Sequence, residues 1–147
     1  MTGFIAINNV SAIETTSNEI LFDTKGKVYT LSGDAKVKFN ENTFNANKII
    51  VKQYPNNSKK PESIEASGKL LFKNNDIEIM ADRCICDMQN IIFYNNVFIK
   101  EKKIGNIKAD SAIYNIESKK VDITADKKVK LKLNDEISKK FDKKILK

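Results

Sequence analysis

The sequence predicts an all-β fold: repetitive, antiparallel, with bent strands that build two facing sheets stacked along an axis like a solenoid. Three observations carry this expectation. Apolar and polar residues alternate with a period of two. The alternation comes in units that repeat along the chain. Inside each unit the alternation changes phase at the same place, beside a small residue.

The period is plain at both ends of the repeated region. Ala35, Val37 and Phe39 alternate with Asp34, Lys36 and Lys38, and Val129, Leu131 and Leu133 alternate with Lys128, Lys130 and Lys132. That is the pattern of a strand with one face buried. Segments 15–23, 44–52, 79–87 and 107–115 superpose on one another, each with a small residue followed by Asn or Asp. With Ser17, Ala46, Ala81 and Ala109 as markers, the steps are 29, 35 and 28 residues. The longer step contains a polar stretch, residues 54–62 with Pro55 and Pro61, which is expected to be an inserted loop. Self-similarity at this spacing is the signature of a repeat architecture.

A second element lies between the markers, at residues 32–37, 67–72 and 94–99, with a degenerate copy at 126–131. It places Gly33, Gly68 and Asn95 at equivalent positions, and Gly or Asn is what a turn or bulge with positive φ accepts. The phase change follows the marker. Phe44 and Ala46 are followed by Ile49 and Val51, a step of three that recurs from Ala81 to Cys84 and from Ala109 to Ala112. Such a step swaps faces unless the strand bulges or turns a corner. The small residue suits a crowded inner corner, and the Asn or Asp beside it can bond backbone groups freed there. Every repeat therefore bends at the same point.

Residues 134–147 carry the only helical pattern. Asn134 can cap, Asp135 and Glu136 suit a first turn, lysines crowd the last, and Ile137, Phe141 and Ile145 share a face. Two parts are expected: a β domain over 1–133, and a basic helix or tail over 134–147. The tail would plug the open end of the β layer, fray, or touch a membrane surface.

Composition narrows the function. The 147 residues suit one domain, and no apolar run reaches the roughly 18 residues of a membrane span. Met1-Thr2-Gly3-Phe4-Ile5 has no basic segment and no long apolar stretch, so it is not read as a signal peptide. The net charge is +7, and Arg83 is the only arginine. Base readout and bidentate phosphate clamps favour Arg, so a nucleic-acid-binding β domain is the weaker expectation. Lys serves solubility, or nonspecific attraction to phosphates and anionic surfaces. With no His, neither a His base nor a His metal site is possible. Cys84 and Cys86 are two apart and face the same way on a strand, and nothing nearby completes the four ligands of a zinc site. They are expected to be small buried apolar side chains. Asp82 and Asp110 recur at one repeat position, which fits a structural corner better than a catalytic pair. No enzyme activity, cofactor or metal is expected.

The units resemble the LptA/OstA-like family of lipopolysaccharide-transport proteins. The residues that carry the likeness are Gly33-Asp34-Ala35-Lys36-Val37 leading to Ala46-Asn47, with Ile49 and Val51 after it. The third unit is nearer still: Asn96-Val97-Phe98-Ile99, then Ile107-Lys108-Ala109-Asp110, then Ile113-Tyr114-Asn115. The proline-containing stretch before Ile64-Glu65-Ala66-Ser67-Gly68 resembles an insertion in the family's periplasmic bridge members. The likeness spans about residues 12–133. Asn95 stands where the pattern has a third Gly, Ser17 where it has a first Ala, and Lys127 in the fourth Gly slot, so the last unit departs most.

The resemblance implies a two-sheet β-jellyroll, a "taco" open along one side. It further implies a periplasmic carrier that holds the acyl chains of lipopolysaccharide inside and leaves the sugars outside, its leader absent from these residues. Such proteins pair edge strands with LptC-like and LptD-like partners and associate head to tail. The alternative is the periplasmic domain of a membrane-anchored LptC-like member. A lipid inside would meet the inward set: Val37, Phe39, Phe44, Ile49, Val51, Phe72, Ile77, Ile79, Val97, Ile99, Ile107 and Tyr114. The same residues would serve equally as core. Lys36, Lys38, Lys69 and Lys100 would meet lipid phosphates at a rim or remain a solvated face.

Overall fold

A computed structural model of the chain describes residues 13–25, 27–54, 57–125 and 128–133. The elements are β1 (Glu14–Thr16), β2 (Glu19–Asp23), β3 (Val28–Phe39), β4 (Asn42–Tyr54), β5 (Asn57–Lys73), β6 (Ile77–Cys86), β7 (Asn90–Glu101), β8 (Gly105–Asn115), β9 (Val121–Thr124) and β10 (Lys130–Leu133). All pairings are antiparallel, and β3 to β8 follow one another in sequence order through the sheet. β1 and β2 both pair with β3, against its two ends, while β9 and β10 do the same with β8. Each end of the stack is thus one bent strand broken at the corner.

The corner falls where the sequence places it. The ladder shifts register between Ser32 and Ala35, between Ser67 and Leu70, and between Tyr94 and Val97. At each shift two residues of one strand oppose one Asn or Asp of the next: Gly33-Asp34 against Asn47, Gly68-Lys69 against Asp82, Asn95-Asn96 against Asp110. All six residues of the pairs have positive φ, so each is a bulge in the left-handed region. These bulges fold one continuous sheet into two half-sheets, and each sequence repeat is a hairpin of two bent strands.

The marker Asn has a use beyond the backbone bonding expected of it. Asn18 lies over Gly33 and Asn47 over Gly68, while Asp82 accepts a hydrogen bond from Asn96 Nδ2 at 2.9 Å. A Cβ on Gly68 would stand 2.8 Å from Asn47 Nδ2 and 2.9 Å from its Cβ, at a φ of +81°. Gly68→Ala therefore meets both a disfavoured dihedral and a clash. It should lower stability by about 2 kcal/mol, read as a fall in the urea midpoint at unchanged m-value. A midpoint equal to wild type would show that the corner does not need glycine.

Within the loop expected over residues 54–62, Tyr54 and residues 57–62 are in strands. β4 runs on to Tyr54 and β5 restarts at Asn57, with Tyr54 paired to Asn57 and Gln53 to Pro61 across two irregularities. The insertion lengthens a hairpin, and the ladder irregularities accommodate Pro61, which has no N–H to donate. The helix expected over residues 134–147 lies outside the described residues, as does Lys127.

Candidate functional site

The period-two pattern turns one face of each half-sheet inward. In the first half-sheet Val37, Phe44, Phe72, Ile79 and Ile99 are buried; in the second, Leu31, Ile49, Ile64, Ile91 and Phe93 are. The halves meet through aromatic rings. Phe72 contacts Phe44 on its own half at 5.1 Å between centroids, and reaches Phe93 at 5.7 Å and Tyr114 at 5.6 Å on the other. Phe72 pairs in the ladder with Phe44 and Ile79, not with Phe93 or Tyr114, so these two contacts span the interior.

Polar groups bridge the same gap near the open side of the fold. Asn74, buried in the β5–β6 turn, donates to Tyr114 Oη at 3.0 Å and lies 3.3 Å from Asn42 Oδ1. Its own Oδ1 accepts from the backbone N–H of Asp76 and Ile77, which fixes the turn. Outside it, Lys119 from the β8–β9 turn forms ion pairs with Glu41 at 3.3 Å and Asp76 at 3.2 Å. Asp76 first and then Glu41 raise the affinity of the Lys119 ammonium for its proton. These contacts tie the second half-sheet to two hairpins of the first.

Beyond this strap the interior opens. A cavity of about 560 Å³ is lined by Ile77, Ile99, Ile107, Tyr114, Val121 and Ile123, with Asp76, Glu101, Lys103 and Lys119 among the charged residues of its wall. It lies at the β7–β10 end of the stack, where the last strands are short.

Eleven of the twelve residues expected to face inward are buried, and Ile107 is partly buried. They do not all share one environment. Ile77, Ile99, Ile107 and Tyr114 line the cavity. Val37, Phe39, Phe44, Ile49, Val51, Phe72, Ile79 and Val97 do not line it and belong to the packed core. The inward set omits Val121 and Ile123 of β9, although their alternation with Asp122 is a legible strand signal. It also omits Ile91 and Phe93, whose outward neighbours Ile92 and Tyr94 hide the period. Lys36, Lys38, Lys69 and Lys100 are all exposed on the outer surface.

Cys84 and Cys86 are buried and free, as expected. Burial, reinforced by the neighbouring thiol, pushes Cys84 far up, and burial pushes Cys86 up to about 12. Both stay protonated at neutral pH, which removes them as nucleophiles or metal ligands. Among the described residues no group of three or more His, Cys, Asp or Glu is placed to hold a metal.

Among the described residues, the two ends of the stack present exposed apolar side chains. Ile20 and Phe22 oppose Leu31 and Tyr29 and so share their inward face, yet they are 57% and 46% exposed. At the other end Leu131 opposes the inward Ile107 and is 53% exposed. A bent sheet with an apolar interior, a cavity at one end and exposed edge strands is the architecture of a binding domain.

The family follows from comparison. Residues 14–120 match the model of the LptA/(LptD N-terminal domain) LPS transport proteins, and the chain belongs to that family. The fold also matches the crystal structure of LptH, the LptA homologous periplasmic component of the lipopolysaccharide transport device of Pseudomonas aeruginosa. The TM-score is 0.72 at 14% identity, covering 83% of this chain and 94% of that one. No curated protein sequence matches the chain. The antiparallel sheet of bent strands expected from the repeats, and the jellyroll implied by the resemblance, are thus the fold observed, and family membership makes the chain a transport protein rather than an enzyme.

Proposed function

We propose that the chain is a periplasmic bridge that carries lipopolysaccharide, with acyl chains entering the interior at the β7–β10 end. The observation that carries this reading is the apolar cavity lined by Ile77, Ile99, Ile107, Val121 and Ile123 and continuous with the aromatic core. Burial of acyl CH₂ groups gains about 0.8 kcal/mol each, so a few chain segments suffice for binding without a specific polar site. Lys103, in the cavity wall, is suited to a lipid phosphate. LptH supports the periplasmic location by its likeness.

The exposed inward residues at both ends support partners of the same fold. Ile20 and Phe22 at one end, and Leu131 at the other, would be covered if the sheet continued into an LptC-like or LptD-like protein or a second copy. Edge strands supply the backbone groups for such strand addition.

A photo-crosslinking amino acid at Ile107 should capture lipopolysaccharide, while the same group at Lys48, exposed on the outer face, should not. Equal labelling at the two positions would sink the trough.

A further inference from the structure

The outer face carries a feature that the interior does not explain. In the ladder, Phe98 of β7 opposes Lys108 of β8, which opposes Lys130 of β10. Two residues along, Lys100 opposes Asn106, which opposes Lys132. Directly opposed residues share a face, so four lysines and one aromatic ring lie on one side of the sheet, with Lys100 and Lys108 next to the ring and Lys130 and Lys132 on the edge strand beyond. By strand spacing the patch spans roughly 10 Å by 7 Å. A groove of about 400 Å³ runs through it, lined by Phe98, Asn106, Lys108, Lys130, Leu131 and Lys132. The Nζ atoms of Lys100 and Lys108 each stand 5.9 Å from the centre of the Phe98 ring.

Among the described residues these four charges form no ion pair. Glu78, the cross-strand neighbour of Lys100, is held by Lys73 at 3.6 Å, and Asp110 lies two residues beyond Lys108 at the corner. Lys108 opposite Lys130 is a like-charge pair on an edge strand, an arrangement that costs stability in an unliganded sheet. An anion in the groove reverses the sign of that contribution.

We propose that this groove binds a phosphorylated sugar. Lysines act as point charges suited to phosphate rather than as bidentate clamps. The half-buried Phe98 ring gives a pyranose an apolar surface beside the two ammonium groups that stand over it, and the Asn106 amide can meet a hydroxyl. A concave groove fits a discrete ring better than a flat bilayer. The site is on the opposite face of the sheet from the cavity and does not depend on the interior holding lipid.

The test is calorimetric titration of the full chain with glucose 1,6-bisphosphate at low salt, beside glucose, inorganic phosphate and phosphatidylglycerol vesicles. The bisphosphate should bind with an affinity that falls as salt rises, and that is at least tenfold weaker for Lys108→Gln/Lys130→Gln. Phe98→Leu should weaken the bisphosphate and leave inorganic phosphate unchanged, a split that mere loss of charge would not give. Melting temperatures of the variants check that the sheet is intact; removal of the like-charge pair should not lower them. Inorganic phosphate binding as tightly as the bisphosphate would reduce the groove to an adventitious ion site and overturn the proposal. So would vesicle binding without bisphosphate binding, or unchanged affinity in the double variant. The probe has no acyl chain, so its failure leaves the interior reading untouched.

Discussion

Ile79→Asp should cost about 4 kcal/mol or more and leave the chain largely unfolded under conditions where wild type is folded. Ile79 is fully buried on β6, and its ladder neighbours are Phe72 on β5 and Ile99 on β7. Neither can pair with a carboxylate. The introduced acid must either ionise without a partner or stay protonated with its hydrogen bonds unmet, and both states are penalised in an apolar interior. Against a total stability of roughly 5–15 kcal/mol, the loss is a large share. The matched control is Ile113→Asp on β8, an outward residue 41% exposed, which should change stability by about 0.5 kcal/mol or less. Urea melts of the two variants make the comparison. Equal losses would mean that the inward and outward faces are assigned wrongly.

That assignment shows what the sequence makes legible. Alternation in β3 and β6 identifies the buried face because the outward residues there are largely polar or charged. The three-residue step after Ala46, Ala81 and Ala109 identifies the corner, since this phase change on β4, β6 and β8 falls opposite the bulges of β3, β5 and β7. The pairing of corners across strands is not legible in the same way. Asn18 over Gly33 and Asn47 over Gly68 are contacts between repeat elements 15 and 21 residues apart, and only the stacked sheet brings them together. Residues 54–62 misled for a related reason. Two prolines and a run of polar residues mark a loop by composition, but the neighbouring ladder extends β5 back through Pro61 to Asn57 with local irregularities.

The candidate site was less legible than the fold, and the cause is physical. Periodicity shows which side chains point inward, not whether anything but protein fills the space between them. Phe44, Phe72, Phe93 and Tyr114 fill it at one end through contacts set by ring size and strand bend. The cavity appears where β9 and β10 are short. The strap of Lys119 to Glu41 and Asp76 joins positions 78 and 43 residues apart, in turns that the alternation does not describe. A long-range ion pair between turns has no sequence period to announce it.

Phe72→Ala probes the boundary between packed core and open trough, with an expected loss of about 3–5 kcal/mol. Phe72 is fully buried and contacts rings on both half-sheets, so its removal deletes contacts within one sheet and across the interior together. The space left is walled by Phe44, Phe93 and Tyr114, and an apolar hole of that kind stays dry and accepts apolar ligands. A chain whose interior is simply a core gains nothing from lipid once Phe72 is gone. A chain whose core grades into an acyl-binding cavity should regain part of the loss when a lipid chain extends inward from the Ile77, Ile99 and Ile107 end. The decisive measurement is the melting temperature of Phe72→Ala with and without a saturating acyl lipid, beside Phe72→Leu, which keeps most of the volume. A larger lipid-induced rise for Ala than for Leu and wild type supports a continuous trough. Equal rises in all three would confine lipid to the existing cavity, and no rise in any would remove acyl chains from the interior altogether.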